Sequence, residues 1–317
     1  MLAGKRFRGG LEFSEIGLGC VGMSAEYGEP SDWNPGAALS VLHQAAELGV
    51  TLFDTADSYG PHTNELLLGE FREICQLSVT IATKAGLQFD PHSQVYAPNG
   101  RPDYLSEACA GSLRRLKTDC IDLYYLHRVD PSVPLEDSWG ALGELAEQGK
   151  VRAIGICEPT MEELLAADSI HPVSAVQSEL SIWTRGPLEQ ILPWCEKSDV
   201  AFVPYAPLGR GFLTGAVGSA SFSAADIRRN NPRFTPAALA ANQMIVDVIA
   251  AVASRHSATP AQVAIAWTMA QSTVVVPIPG TKRSSYLREN VAAARLALTP
   301  EDLVDLNSVP AAVGERY

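Results

Sequence analysis

Asp54, Tyr59, Lys84 and His127 are a carboxylic acid, a phenol, an amine and an imidazole, and each lies at or just after the end of a short apolar run. Singly, each has a plain structural explanation: a turn cap, a loop aromatic, a rim charge, a satisfied core histidine. Together they are suited to moving one proton. A free tyrosine ionises near pH 10, poorly matched to neutral pH, but an adjacent ammonium favours the phenolate and makes the proton easier to transfer. Lys84 supplies that charge, Asp54 keeps a buried ammonium protonated and oriented, and His127 can donate a hydrogen bond to a substrate oxygen. Tyr59 is the expected proton donor.

Such a set works only if the chain brings the ends of several runs to one face. Eight strand-type runs lie near residues 16–19, 51–54, 79–84, 121–127, 151–157, 173–177, 201–205 and 274–278, separated by longer segments with helical spacing. This alternation is the pattern of βα units around a parallel sheet. Asn34 and Pro35 open the first helix as cap and first residue, and Gly49 closes it; Leu135, Trp139, Leu142 and Leu145 mark the fourth, closed by Gly149. The fold class is therefore α/β, a (β/α)8 barrel, whose active site belongs at the C-terminal ends of the strands. Residues 6–13 read as a hairpin around Gly9-Gly10 that plugs the barrel bottom, and Thr299-Pro300-Glu301 starts an extra C-terminal helix.

Composition agrees with one large domain over residues 1–317. With 46% hydrophobic and 19% charged residues, the chain has material for a substantial core and too little charge for disorder. A net charge of −12 argues against nucleic acid or an anionic membrane as partner, so any anion site must be local. The six cysteines have no metal-type spacing and read as free thiols of a cytoplasmic protein; no metal is expected. No stretch reads as the roughly 18 apolar residues of a membrane span.

Two glycine-rich segments need separate readings. Gly17-Leu18-Gly19-Cys20-Val21-Gly22 fits the spacing of a dinucleotide-binding turn, but no amphipathic helix opens after it and no acidic strand end arrives about 20 residues later. A tight exit from a strand is the better reading. Gly209 to about Phe234 is the one long segment without periodicity, of the kind that is usually functional or mobile.

The runs at the strand ends resemble the aldo-keto reductase family. Asp54-Thr55-Ala56-Asp57-Ser58-Tyr59-Gly60 with Asn64-Glu65 is similar to that family's signature, and Lys84 and His127 stand where it keeps its other catalytic residues. The likeness continues through residues 205–215 and 277–282 and covers roughly residues 7–290. It implies a barrel that reduces an aldehyde or ketone with NADP(H), taking a small-molecule carbonyl as its partner. Two positions depart from the family pattern: Cys157 replaces a common serine, and the arginine often found near Tyr286 for the 2′-phosphate is absent.

Reduction of a carbonyl needs a hydride, which no side chain supplies. For the cofactor, Tyr205 can stack on the nicotinamide, and Gln177 and Ser178 can bind its carboxamide beside Cys157. The backbone N–H groups of Leu208, Gly209, Arg210 and Gly211 can approach the pyrophosphate as a glycine-rich nest, with Ala206 and Pro207 just before them as further cofactor contacts. Gly280, Thr281, Lys282 and Arg283 can hold the 2′-phosphate, with Glu289 and Asn290 at the adenine end and Gly22 and Met23 on the first strand's exit. Trp33, Phe89, Trp183 and the loops around Pro30 and Tyr96 are pocket candidates. Two other functions stay open at this point: a barrel aldolase with a Schiff base on Lys84, and a cofactor-binding regulatory subunit on the same fold, like the potassium-channel β subunits.

Overall fold

The computed structural model describes residues 2–24, 27–29, 32–90, 95–217 and 222–316. Seven parallel strands form one sheet: β3 (Leu18–Gly19), β4 (Leu52–Asp54), β5 (Thr80–Ala85), β8 (Leu123–Leu126), β9 (Ile154–Cys157), β10 (Ala175–Gln177) and β11 (Ala201–Phe202), side by side in chain order. The eighth run forms no regular strand, yet it closes the barrel. Its Val275 bridges Phe202 and its Gly280 bridges Gly19, while Gly17 N–H donates to Pro277 O and Ile278 N–H to Pro204 O. Pro277 and Pro279 have no N–H to donate, which interrupts the ladder there.

The closure explains the first glycine segment. A Cβ on Gly19 would lie 2.8 Å from Ile278 O, and one on Gly17 would lie 2.8 Å from Ile278 Cγ2 and 3.1 Å from Leu52 O. The first two glycines of that spacing stand where the first and eighth strands meet without room for side chains, whereas a Cβ on Gly22 would be in ordinary contact, 3.6 Å from the Tyr27 ring.

Helices α1 (Pro35–Glu47), α2 (Thr63–Ile74), α3 (Pro102–Arg115), α4 (Leu135–Glu147), α5 (Met161–Ile170) and α6 (Ile191–Ser198) alternate with the strands. The expected cap of α1 is present, Asn34 Oδ1 accepting from Ala37 N–H at 3.0 Å. Between β11 and the eighth run lie α7 (Pro236–Arg255) and α8 (Pro260–Met269), followed by α9 (Ser284–Ala292) and α10 (Pro300–Ser308). The α10 start is the expected Thr299 cap, completed by Asp302 as a capping box. The expected hairpin is present as β1 (Gly4–Arg6) against β2 (Glu12–Ser14), its strands reaching beyond residues 6–13 and its turn a 3-10 segment over Arg8–Gly10.

Three features depart from the sequence reading. An antiparallel hairpin, β6 (Leu87–Asp90) with β7 (Val95–Pro98), leaves β5 above the barrel mouth. The segment after Gly209 is built from 3-10 turns at Gly209–Thr214, Ile227–Asn230 and Pro232–Phe234. Finally, α7 carries an 18-residue window of mean hydropathy 1.6, long and apolar enough to cross a membrane by length and composition, which corrects the expectation that no stretch is. In the structure 44% of that window is buried: Ile245, Val246, Ile249 and Val252 face the core, and buried Asn242 bonds the backbone of Val313.

Candidate active site

The four chemistry-bearing residues meet at the strand ends. Asp54 is the last residue of β4, Lys84 the fifth of β5, and His127 follows β8. The turn after β4 is stitched to its neighbours through the backbone, Thr55 N–H to Ala82 O and Asp57 N–H to Lys84 O, and it brings Tyr59 back over the sheet. Asn64 and Glu65, on α2, hold that turn from behind. Asn64 accepts from Thr55 Oγ1 at 2.6 Å and donates to Cys20 O, while Glu65 takes Thr83 Oγ1 and Arg115 Nε at 2.6 Å each.

Lys84 is wholly buried, and its ammonium donates to Asp54 Oδ1 at 2.6 Å, Thr55 O at 2.7 Å and Tyr59 Oη at 3.3 Å. Three acceptors match the three N–H bonds of a protonated lysine. Burial alone would lower its pKa, but the Asp54 carboxylate overrides this and holds it above the usual lysine value. The other Asp54 oxygen accepts from Gln177 Nε2 at 2.8 Å, so both carboxylate oxygens are engaged. His127 is pushed well below the ordinary histidine pKa, first by burial and then by the charges of Lys84 and Arg128. It is neutral at physiological pH, with Nδ1 3.5 Å from Ser58 Oγ and its ring 6.0 Å from that of Tyr59.

A cavity of about 430 Å³ opens beside this group, lined by Tyr59, Tyr205, Ala206 and Arg210 together with Val21, Tyr27, Ile227, Asn230, Asn231 and Pro232. The last six were not singled out from sequence. They come from the exit of β3 and from the 3-10 turns, two segments without periodicity that fold against each other: Gly28 N–H donates to Asp226 Oδ2, Ser223 Oγ donates to Gly28 O, and Arg228 lies over the Tyr27 ring.

Other expected residues are placed differently. Trp183 is no part of the cavity wall; it is buried, stacked on Phe212 at 4.9 Å and edge-on to Phe234. Trp33 is exposed and Phe89 packs on Tyr96, whose hydroxyl donates to Ser58 O at 3.1 Å. Pro30 lies outside the described residues. Two of the four nest amides are spent within the turn, Gly209 N–H on Ala206 O and Gly211 N–H on Leu208 O. Pro207, Ser178 and Cys157 are buried, and burial first of all pushes the Cys157 thiol up to about 12. Met23 is buried beside half-buried Gly22, in the 3-10 segment Val21–Ser24. Lys282 and Arg283 do not form one cluster. Lys282 Nζ donates to Tyr27 O at 3.2 Å, whereas Arg283 is exposed and lies over the Tyr286 ring, its N–H accepted by Thr281 Oγ1. Glu289 is half-buried and Asn290 buried on α9.

A profile of the Aldo/keto reductase family matches residues 15–310. The chain belongs to the aldo/keto reductase family. It is 40% identical over 312 residues to a probable aldo-keto reductase 1 of Glycine max, covering 97% of this chain and 89% of that one. It is similar in structure to the glycerol dehydrogenase AKR11B4 of Gluconobacter oxydans, with a TM-score of 0.87, 25% identity and coverage of 96% and 94% of the two chains. It shares its fold with an aldo/keto reductase of Klebsiella pneumoniae solved in complex with NADP and acetate, with a TM-score of 0.75, 23% identity and coverage of 97% and 95%. Like these relatives, this aldo/keto reductase is an α/β barrel oxidoreductase. Its Asn64-Glu65 pair holds the turn that carries Tyr59.

Proposed function

We propose that the protein is an NADPH-dependent reductase of aldehydes or ketones in which Tyr59 is the proton donor. The carrying observation is the Lys84 ammonium, bonded at once to Asp54 and to the Tyr59 hydroxyl beside the cavity. A positive charge 3.3 Å from a phenol oxygen favours its ionised form. Tyr59 then gives its proton to the carbonyl oxygen as that oxygen gains charge, and Lys84 stabilises the phenolate left behind until solvent reprotonates it. Asp54 holds Lys84 in place, and Gln177 holds Asp54. In the tautomer that carries its proton on Nε2, neutral His127 would donate to the substrate oxygen and Nδ1 would face the Ser58 hydroxyl.

The cavity suits a nicotinamide dinucleotide in its donor set: an aromatic face from Tyr205, a cation from Arg210, and a backbone bent by positive φ at Gly209, Arg210 and Gly211. Bound NADPH supplies the hydride. The Klebsiella relative's bound NADP supports this reading, as does the family generally. Lys282 is the cation best placed beside the loop at Tyr27 for the 2′-phosphate, with Arg283 at the rim. A Schiff base on Lys84 is disfavoured, because its nitrogen is wholly buried and bonded to three acceptors.

Turnover is measured as NADPH absorbance lost with a reactive aromatic aldehyde, alongside NADPH binding by quenching of intrinsic fluorescence. Tyr59→Phe is expected to lower kcat by about 10²–10⁴-fold and leave the NADPH Kd close to wild type. Wild-type turnover in that variant rejects the assignment, and NADPH binding without any turnover in the native protein favours the regulatory-subunit reading.

A further inference from the structure

We propose that Glu179 is a positioning residue that sets Arg210 against the cavity and thereby governs affinity for an anionic ligand there; with NADPH as that ligand, the proposal rests on the cofactor reading above. Glu179 stands two residues beyond β10 and is buried, 2% exposed. Its Oε1 accepts one hydrogen bond, from Thr184 Oγ1 at 2.8 Å, and Thr184 in turn accepts from Arg233 at 2.6 Å. Its Oε2 accepts none. Around this carboxylate stand three guanidinium groups: Arg233 at 3.7 Å, Arg210 at 3.9 Å and Arg316 at 3.9 Å. Arg316 also bonds Glu158 at 2.5 Å, and Glu158 accepts the Glu179 N–H at 2.8 Å.

Burying a carboxylate costs several kcal/mol, and leaving one of its oxygens without a hydrogen bond adds to that cost. Burial pushes the Glu179 carboxyl up, while Thr184 and then the three arginines pull the other way. A site concerned only with stability would hold an apolar residue here at less expense. The backbone opposite carries a cost of its own. Arg210 has φ +54°, between Gly209 at +56° and Gly211 at +95°, and a left-handed backbone is unfavourable for a residue with a Cβ. Gly209 cannot be replaced to relieve the turn, because a Cβ there would lie 2.8 Å from the Trp183 ring. Both costs serve one placement: the Arg210 side chain stands between Glu179 and the cavity that Tyr59 and Tyr205 line.

At 3.9 Å the Glu179 contact is electrostatic, fixing where the guanidinium sits without spending a short hydrogen bond on it. Three cations against Glu179 and Glu158 leave one positive charge in excess. In a chain of net charge −12, this is a local field that attracts a phosphate.

The test is a double-mutant cycle on the NADPH Kd, read by fluorescence quenching, with a thermal melt for each variant. Glu179→Gln keeps the shape and removes the charge; it is expected to weaken binding about tenfold, with a larger loss in KM than in kcat. Arg210→Ala is expected to weaken binding at least as much, and the double variant no further than Arg210→Ala alone, since Glu179 acts through Arg210. An unchanged Kd in Glu179→Gln, or fully additive losses, overturns the proposal while native NADPH binding keeps the cofactor reading intact. A native protein that does not bind NADPH overturns both. Should Glu179→Gln fail to fold, Thr184→Val removes the one short bond to the carboxylate. It is expected to weaken binding about threefold, again only when Arg210 is present, and no change refutes the idea.

Discussion

Two pairs of charged residues near the proposed active site are held in opposite ways. Lys84 and Asp54 are buried and joined at 2.6 Å, and all three N–H bonds of the ammonium and both carboxylate oxygens are engaged by the chain itself. Lys282 and Arg283 are neighbours in sequence but part company in space, one reaching back to Tyr27 and the other lying exposed over Tyr286. The first pair is fixed before any ligand arrives, so its charge can act on Tyr59 without reorganisation. The second keeps its charge near water, where it is screened unless an anion comes close. On the proposed function, the buried pair would serve the chemistry and the rim pair the recognition of the cofactor.

The largest expected break in this comparison is Lys84→Met. It removes the charge on the phenol and leaves Asp54 buried and unpaired, so kcat should fall at least as far as in Tyr59→Phe, by about 10²–10⁴-fold. Because breaking a buried pair also costs about 3–5 kcal/mol of stability, a thermal melt must accompany the kinetics. Intact activity in this variant would make Lys84 a structural charge only.

At the rim, replacing Lys282 and Arg283 together by alanine should raise KM for NADPH about tenfold and leave NADH kinetics nearly alone. Steady-state kinetics with both cofactors decides it. Equal weakening toward both places the 2′-phosphate elsewhere. Since Lys282 alone reaches toward the Tyr27 loop, Lys282→Ala should account for most of the change.

The smallest effect sharpens the buried side. Asp57 lies three residues after Asp54 and is also buried, but its Oδ1 has no hydrogen-bond partner. Burial first, and then Glu65, push its pKa up to about 7. A carboxyl whose folded pKa exceeds its unfolded value binds more protons when folded, so its contribution to stability is lost as pH rises from about 4 to about 7. Asp57→Asn should therefore melt progressively above wild type over that range, with a gap on the order of 1–3 kcal/mol by about pH 8. A pH-independent difference between the two melting curves would place the Asp57 proton elsewhere.

How far the sequence could be read follows from how local each constraint is. The strand ends of Asp54, Lys84 and His127 were legible because each closes its own apolar run, and the caps at Asn34 and Thr299 because a cap spans only a few residues. The cavity wall was legible only as a segment: residues 209–234 stood out for lack of period, but not which of them line the cavity, since Ile227, Asn230 and Asn231 take their place through bonds between Asp226 and Gly28, about 200 residues apart in the chain. Trp183 read as a pocket aromatic because nothing near it in sequence announces Phe212 and Phe234.

By itself, then, the sequence determined the alternation of strands and helices and the face on which Asp54, Tyr59, Lys84 and His127 gather, because periodicity and strand ends are properties of short windows; the pairing of Lys84 with Asp54 followed from the chemistry of the two groups and not from any pattern. Only the tertiary structure decided what the glycines are for. Gly17 and Gly19 match a nucleotide motif but exist to let two strands 260 residues apart close a barrel, as Gly19 meets Gly280. Gly209 sits where Trp183 leaves no room and the chain must turn left-handed. Steric exclusion between distant segments leaves the same letter in the sequence whatever it excludes, and only the fold shows which atoms would have collided.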